Sequence, residues 1–362
     1  MAGQMALFPP GRLSVLLAVG LWGCAPTAAP PEWACAPQAV LVAGAPLVGV
    51  EDMAIAGGSL VLSAYDRALV EAGSPAPGFH GLAVLALAAV LAADGKAALT
   101  ARALAGAGLG FPHGMDARDL GEEWAAIAVI DRHYDGGMIA GADLVFLEAD
   151  LDAAAPQGVE KGRVKDPRLC AANDVALGQD GAWAVSLDRA DCAAPLWLSH
   201  FPGRASGSIL AGDRDKSAGR LVVEGLKLPN GVLFDEAGRL WAAQTRARSL
   251  QIFAPTDRGA WEDVQTFTLD FAPDNLGRAE GGMWASGGTS LWRFGAYRRG
   301  DAARHPWKTA RIAENGVATG PDWRSGTIPS ATVFVEADGV LIGGDALGAG
   351  LILCRPRAAA AP

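Results

Sequence analysis

Asn173-Asp174-Val175-Ala176-Leu177, a turn at Asp180-Gly181 and then Ala182-Trp183-Ala184-Val185 form one stretch of this chain. Asn230-Gly231-Val232-Leu233-Phe234, Ala237-Gly238 and Leu240-Trp241-Ala242 form a second built the same way. In both, the Asn and the turn glycine have the same separation, and short apolar segments on either side of a Gly turn read as paired strands. Four more segments share the pattern, beginning at Val50-Glu51-Asp52, Pro112-His113-Gly114, Asp274-Asn275 and Pro329-Ser330-Ala331, with turn glycines that include Gly57-Gly58, Gly281-Gly282 and Gly339. A spacing of roughly 45–60 residues is a propeller period. The pattern predicts an all-β chain, a six-bladed β-propeller over residues 35–355.

In a propeller the start of each inner strand faces the central channel, so residues far apart in sequence converge there. Asn and Asp also start turns for purely local reasons. Glu51, Asn173, Asn230, Asp274 and Asn275, at one phase of four blades, read instead as oxygen donors that can reach a common ion.

The chain has 362 residues, 51% hydrophobic and 19% charged, enough for a large core. A net charge of −9 without any Lys/Arg run leaves no electrostatic footprint for nucleic acid. Arg12 precedes an apolar run from Leu13 to Trp22, then Gly23-Cys24 and an Ala/Pro-rich stretch from Ala25 to Pro31. That order predicts a signal peptide over 1–24 and a linker over 25–34. The run is shorter than the roughly 20 residues of a membrane-spanning helix. Leu21-Trp22-Gly23-Cys24 resembles a bacterial lipobox, which would attach a lipid at Cys24 and tether the chain to a membrane. The expected location is periplasmic or membrane-anchored, otherwise secreted. A second apolar run, Gly81 to Ala92, reads as a buried strand continuing into a turn at Asp94-Gly95. Residues 356–362 read as a disordered tail.

With Cys24 set aside, Cys35, Cys170, Cys192 and Cys354 suffice for two disulfides. The sequence has no Gly-x-Ser-x-Gly elbow, His-Glu-x-x-His helix, Walker loop or Cys-x-x-Cys pair, so serine-esterase, zinc-protease and nucleotide chemistries lack their minimal parts. Gly106-x-Gly108-x-Gly110 reads as a flexible turn before Phe111.

From about Cys35 to Cys354 the chain carries, in order, Gly49-Val50-Glu51-Asp52-Met53, Phe111-Pro112-His113-Gly114-Met115, Asn173-Asp174, Pro229-Asn230-Gly231, Asp274-Asn275 and Leu341-Ile342-Gly343. Together these resemble the paraoxonase/arylesterase family, calcium-dependent propeller lactonases related to gluconolactonases and strictosidine synthases. The resemblance implies that Glu51, Asn173, Asn230, Asp274 and Asn275 bind a catalytic Ca²⁺. It also implies a second, structural Ca²⁺ on Asp52, Asp174 and the backbone carbonyl of Met115. Hard oxygen ligands suit Ca²⁺, and with only Glu51 and Asp274 charged the catalytic ion would stay acidic enough to polarise a carbonyl.

His113 matches the family's proposed general base, a role open to a neutral imidazole; a histidine that merely holds a loop is the ordinary alternative. For the second histidine of the dyad, alignment through Ala128-Val129-Ile130-Asp131 leaves Arg132 or His133, and His133 is carried forward. His80, His200 and His305 fall outside every motif and read as surface or packing residues. The family also joins its first and last strands by a disulfide, implying Cys35–Cys354. Cys170 and Cys192, flanking the hairpin at Asp180-Gly181, are then paired by parity. After Asp274-Asn275 the family has a Cys-His pair where this chain has Gly287-Gly288, so the wall of the site must differ.

The implied function is a calcium-dependent hydrolase of lactones or aryl esters, acting as a monomer on a small-molecule substrate. A gluconolactonase-type sugar lactonase with a more polar pocket and a non-catalytic, calcium-stabilised ligand-binding propeller are the other readings. The 11 Trp and 11 Phe, most of them expected in the core, make an apolar pocket the more natural one.

Overall fold

The computed structural model describes residues 33–74, 78–121, 124–190, 192, 205–214, 218–256, 260–313 and 316–357. The expected signal peptide, Cys24, residues 25–32 of the linker, His200 and residues 358–362 of the tail lie outside the described residues. Six antiparallel hairpins grow into six sheets, five of four strands and one of six. Their inner strands are Val50–Ala56, Phe111–Gly121, Ala172–Leu177, Pro229–Phe234, Ala272–Ala279 and Val333–Ala337, which begin blades 1 to 6 in chain order. Each inner strand packs on the next and the sixth on the first, which closes a six-bladed propeller around a channel.

The ring is fastened by its two ends. Trp33–Gln38 pairs antiparallel with Leu351–Pro356 as the outer strand of blade 6, and Cys35, opposite Cys354 in that register, is disulfide-bonded to it. The strand already begins at Trp33, so the linker ends earlier than expected. The chain then lays Val40–Val42 and Ala45–Pro46 along the outside of blade 1, the first of them parallel to Leu99–Ala103. Cys170 and Cys192 are also bonded, and two disulfides belong to an oxidising, exported environment. The apolar run at 81–92 is a strand only over His80–Ala86; Leu87–Ala92 is a short helix, as its Leu and Ala residues favour. No helix among the described residues is long and apolar enough to cross a membrane.

Several Trp residues belong to the core. Trp183, Trp241 and Trp307 are at most 2% exposed between blades, with Phe271 and Phe334 beside them. These rings lie where blades stack on each other, as the sequence leads one to expect of most of the aromatics.

One device recurs in five inner strands. Their pairing slips by one residue between Val50 and Asp52, Pro112 and Met115, Ala172 and Val175, Pro229 and Val232, and Pro273 and Leu276. An extra residue in one strand is a β-bulge, which bends the strand and re-aims adjacent side chains. The bulged pairs are Glu51-Asp52, His113-Gly114, Asn173-Asp174, Asn230-Gly231 and Asp274-Asn275. In blades 1, 3 and 5 a buried serine on the second strand sits against the bulge: Ser63 donates to His113 O of blade 2 at 2.5 Å, Ser286 to Thr332 O of blade 6 at 2.7 Å, and Ser186 accepts from Asp174 N–H at 3.1 Å. In blades 2 and 4 that second residue is glycine, because the neighbouring strand lies against it. A Cβ on Gly114 would meet Asn173 O and Asp174 Cα at 2.4 Å, and one on Gly231 would meet Leu276 N at 2.6 Å. Gly231→Ala is therefore expected to cost about 1–3 kcal/mol through overpacking, read as a lower denaturant midpoint with unchanged slope.

Candidate metal centre

The first residues of the five bulges, Glu51, His113, Asn173, Asn230 and Asp274, meet in an upper layer of the channel. Glu51 Oε1 lies 3.2 Å from His113 Nδ1, and the Asn230 amide donates to Asp274 Oδ1. Asn275, a second bulge residue, donates its Nδ2 to the Glu51 carbonyl at 2.8 Å and so fixes blade 5 to blade 1. Met115 also lies at the channel, one residue past the blade 2 bulge.

Arg67 was not foreseen and sits at the centre of this layer. It opens the short helix Arg67–Glu71, capped by Asp66, whose side chain accepts from Leu69 N–H at 3.0 Å. That turn puts the guanidinium inward, 7% exposed, with Nη2 2.7 Å from Glu51 Oε2 and 3.0 Å from His113 Nδ1. Burial works against its charge, and Glu51 more than offsets this, so the guanidinium is held well above its ordinary value. The only sequence hint was an Arg directly after a buried strand, Ser59–Tyr65.

For the second dyad position, the structure brings Arg132 and not His133 to the centre. Arg132 is buried and donates Nη2 to Ala172 O at 2.9 Å, beside Asn173. His133, next along a strand and so turned the other way, has a side chain 48% exposed and lies 3.8 Å from Asp143 and 4.0 Å from Asp131. Burial, then Arg132, Arg67 and Arg298, push the His113 imidazole well below its usual value, so it is neutral. His80 accepts or donates at Gly110 O, 2.9 Å away, and packs near Phe111; His305 is buried beside Phe294 and Tyr297.

Oxygen donors suited to a cation line the upper layer, where the Arg67 guanidinium stands beside Glu51. Asn230 Oδ1 is buried without a hydrogen-bond partner, a rarity that points to a missing donor or ion. Glu51 Oε2 is close to Arg67, but the contact is not directed as a hydrogen bond, so this oxygen is also unmet. Asp274 is raised to about 7 by burial and then by the charge of Glu51, the condition a bound cation would reverse. No three His, Cys, Asp or Glu side chains among the described residues gather closely enough to hold a metal alone, so a cation here depends on the Asn amides.

Below lies a second layer, around a cavity of about 140 Å³ lined by Asp52, Asp116, Asp174 and Arg278. Asp52 accepts from Met53 N–H at 2.8 Å and, across to blade 2, from Met115 N–H at 2.9 Å. Asp116 accepts from Ala117 N–H and, across to blade 3, from Leu177 N–H, both at 2.8 Å. Asp174 accepts from Val175 N–H and, across to blade 4, from Val232 N–H, both at 2.7 Å. Asp52 and Asp174 also hydrogen-bond each other, and burial raises Asp52 to about 7 and Asp174 well above its usual value. Arg278 reaches from blade 5 and grips Asp116 through both terminal nitrogens, at 2.5 and 2.9 Å. This layer does not fit the expected structural Ca²⁺ as the upper one fits its ion. Each oxygen of the three carboxylates already accepts a backbone N–H, and Met115 presents its N–H to Asp52.

No family model matches the sequence, and no curated protein does. Solved structures do match. A structure described as a "putative gluconolactonase" has a TM-score of 0.50 at 12% identity, covering 90% of this chain and 93% of its own. A luciferin-regenerating enzyme has a TM-score of 0.50 at 10% identity, over 86% of this chain and 92% of its own. A protein of unknown function from Bacteroides thetaiotaomicron has a TM-score of 0.50 at 10% identity, over 90% of this chain and 76% of its own. At such identities the likeness is one of fold, and it places this chain among β-propellers of that shape.

Proposed function

We propose that this chain is a calcium-dependent lactone hydrolase whose pocket suits a polar, sugar-like lactone better than an aryl ester. The observation that carries the reading is the unpartnered, buried Asn230 Oδ1 in a layer that also holds Glu51, Asp274 and Asn173. Glu51, Asn173, Asn230, Asp274 and Asn275 would hold the ion. When bound, Ca²⁺ supplies Lewis acidity toward a carbonyl oxygen.

The chain's own residues supply the rest. His113 is neutral, its Nδ1 shared between Arg67 at 3.0 Å and Glu51 Oε1 at 3.2 Å, and Glu51 would stabilise the imidazolium once the ring takes a proton. Arg67, with Nη2 2.7 Å from Glu51 Oε2, pairs with that carboxylate and holds it in place. Polarity around the layer favours the sugar-type reading over the aryl ester: Arg67, Arg132, Asp188 and Arg189 cluster there, with Tyr65, Phe111 and Tyr134 as an aromatic side. The "putative gluconolactonase" shares the fold and adds nothing on substrate.

The test is hydrolysis of a sugar lactone, a long-chain lactone and phenyl acetate by the purified chain, with and without a calcium chelator. The sugar lactone is expected to turn over fastest, with at least a tenfold loss on chelation. Undiminished turnover after verified calcium removal would sink the mechanism, and no turnover of any substrate with calcium bound would leave a ligand-binding propeller.

A further inference from the structure

We propose that Arg278 is the resident cation of the lower layer, so that Asp52, Asp116 and Asp174 are held together without a second metal ion. This goes beyond the lactonase reading and does not depend on it.

The geometry is that of a built lock. The Asp116 side chain is 1% exposed and takes four donors: two backbone N–H groups and both terminal nitrogens of Arg278. A planar guanidinium gripping a carboxylate with two parallel bonds is the strongest and most directional ion pair that side chains offer. Arg118 adds a second cation 4.0 Å from Asp116, its Nε donating to Leu177 O at 3.0 Å and its Nη2 to Phe234 O at 3.1 Å. Two guanidinium groups thus stand against three carboxylates whose six oxygens all accept a backbone N–H.

Calcium needs six to eight oxygen ligands, and here Arg278, held to Asp116 at 2.5 and 2.9 Å, already supplies the positive charge that the three carboxylates would offer an ion. Burial works against the Arg278 guanidinium, and Asp116, Asp52 and Asp174 together more than offset it. The pair does mechanical work as well: Arg278 ties blade 5 to blade 2 across the channel, while Asp116 ties blade 2 to blade 3.

The experiment counts calcium. Full-length wild type is equilibrated with excess CaCl2, desalted and assayed by atomic emission, beside Asp274→Asn, Asp52→Asn and Arg278→Met. The expected wild-type count is one ion per chain, lost in Asp274→Asn and unchanged in Asp52→Asn; Arg278→Met gains a second. Should Arg278→Met fail to fold, Arg278→Lys, which keeps the charge, is expected to fold and still bind one ion. Two ions per wild-type chain, one of them lost in Asp52→Asn, would overturn the proposal. No ion in wild type would leave it standing and would sink the lactonase mechanism instead, so the two failures are distinguishable. Melting temperature gives a second readout: chelator is expected to lower that of wild type and leave that of Asp274→Asn unmoved. A chelator-induced fall in Asp274→Asn that vanishes in Asp52→Asn would again overturn the proposal.

Discussion

Glu51→Gln is expected to lower kcat/KM on the best lactone by roughly 10²–10³-fold, the loss typical of removing one electrostatic stabiliser from a preorganised site. Glu51 brings one of only two formal charges among the proposed ligands, and it is also the neighbour of His113 at 3.2 Å. The same change should destabilise the fold. The Glu51 and Arg67 side chains are 10% and 8% exposed, and removing one partner of a buried pair leaves the other charge uncompensated, at about 3–5 kcal/mol. Stability and catalysis can then be separated. Glu51→Gln combined with Arg67→Met removes both charges and is expected to recover most of the stability and none of the activity. Chemical denaturation and initial-rate kinetics on the same three proteins decide it; full activity in the double variant would mean that Glu51 acts only through its pairing with Arg67.

Replacing Cys35 and Cys354 together by serine is expected to produce the largest loss of stability of any pair in the chain. The bond joins residues 319 apart, and in the chain-entropy model so long a loop corresponds to roughly 5 kcal/mol, an upper figure because residual structure in the unfolded chain reduces it. It also pins Trp33–Gln38, the strand that completes blade 6 and couples the chain's beginning to its end. Serine at Cys170 and Cys192, bonded across a separation of 22, should cost roughly 3 kcal/mol by the same argument. The measurement is the denaturant midpoint of each variant; equal losses from the two pairs would show that ring closure adds little.

The propeller was legible because its signal repeats. A polar cluster before a Gly-turned hairpin, six times over and with Asn or Asp in four of the six, fixes both the blades and the channel-facing phase, and bulges fall at five of those places. What does not repeat was missed. Arg67 lies beyond a strand end. Asp116, Arg118 and Arg278 look like ordinary charges on strands, and their partners sit in other blades, where no local pattern reaches. Ser63, Ser186 and Ser286 do share a phase, and Trp183-Ala184-Val185-Ser186 beside Trp284-Ala285-Ser286 was a readable hint of it. The choice between Arg132 and His133 turned on strand direction, which alignment by motif leaves open by one residue. Aromatic content says little about the pocket because blade stacking, absent from a residue count, consumes Trp183, Trp241 and Trp307.

The carboxylate straps Asp52 to Met115, Asp116 to Leu177 and Asp174 to Val232 join blades 1, 2, 3 and 4 in succession and go no further round the ring. In the language of native-state hydrogen exchange this divides a nearly symmetric ring into two unequal arcs. The strapped arc is expected to open as one cooperative block. Blades 5 and 6 are joined to it by side chains instead, Asn275 to Glu51 and Arg278 to Asp116, and by the covalent clasp in blade 6, so their amides are expected to exchange no more slowly than those of blades 1 to 4.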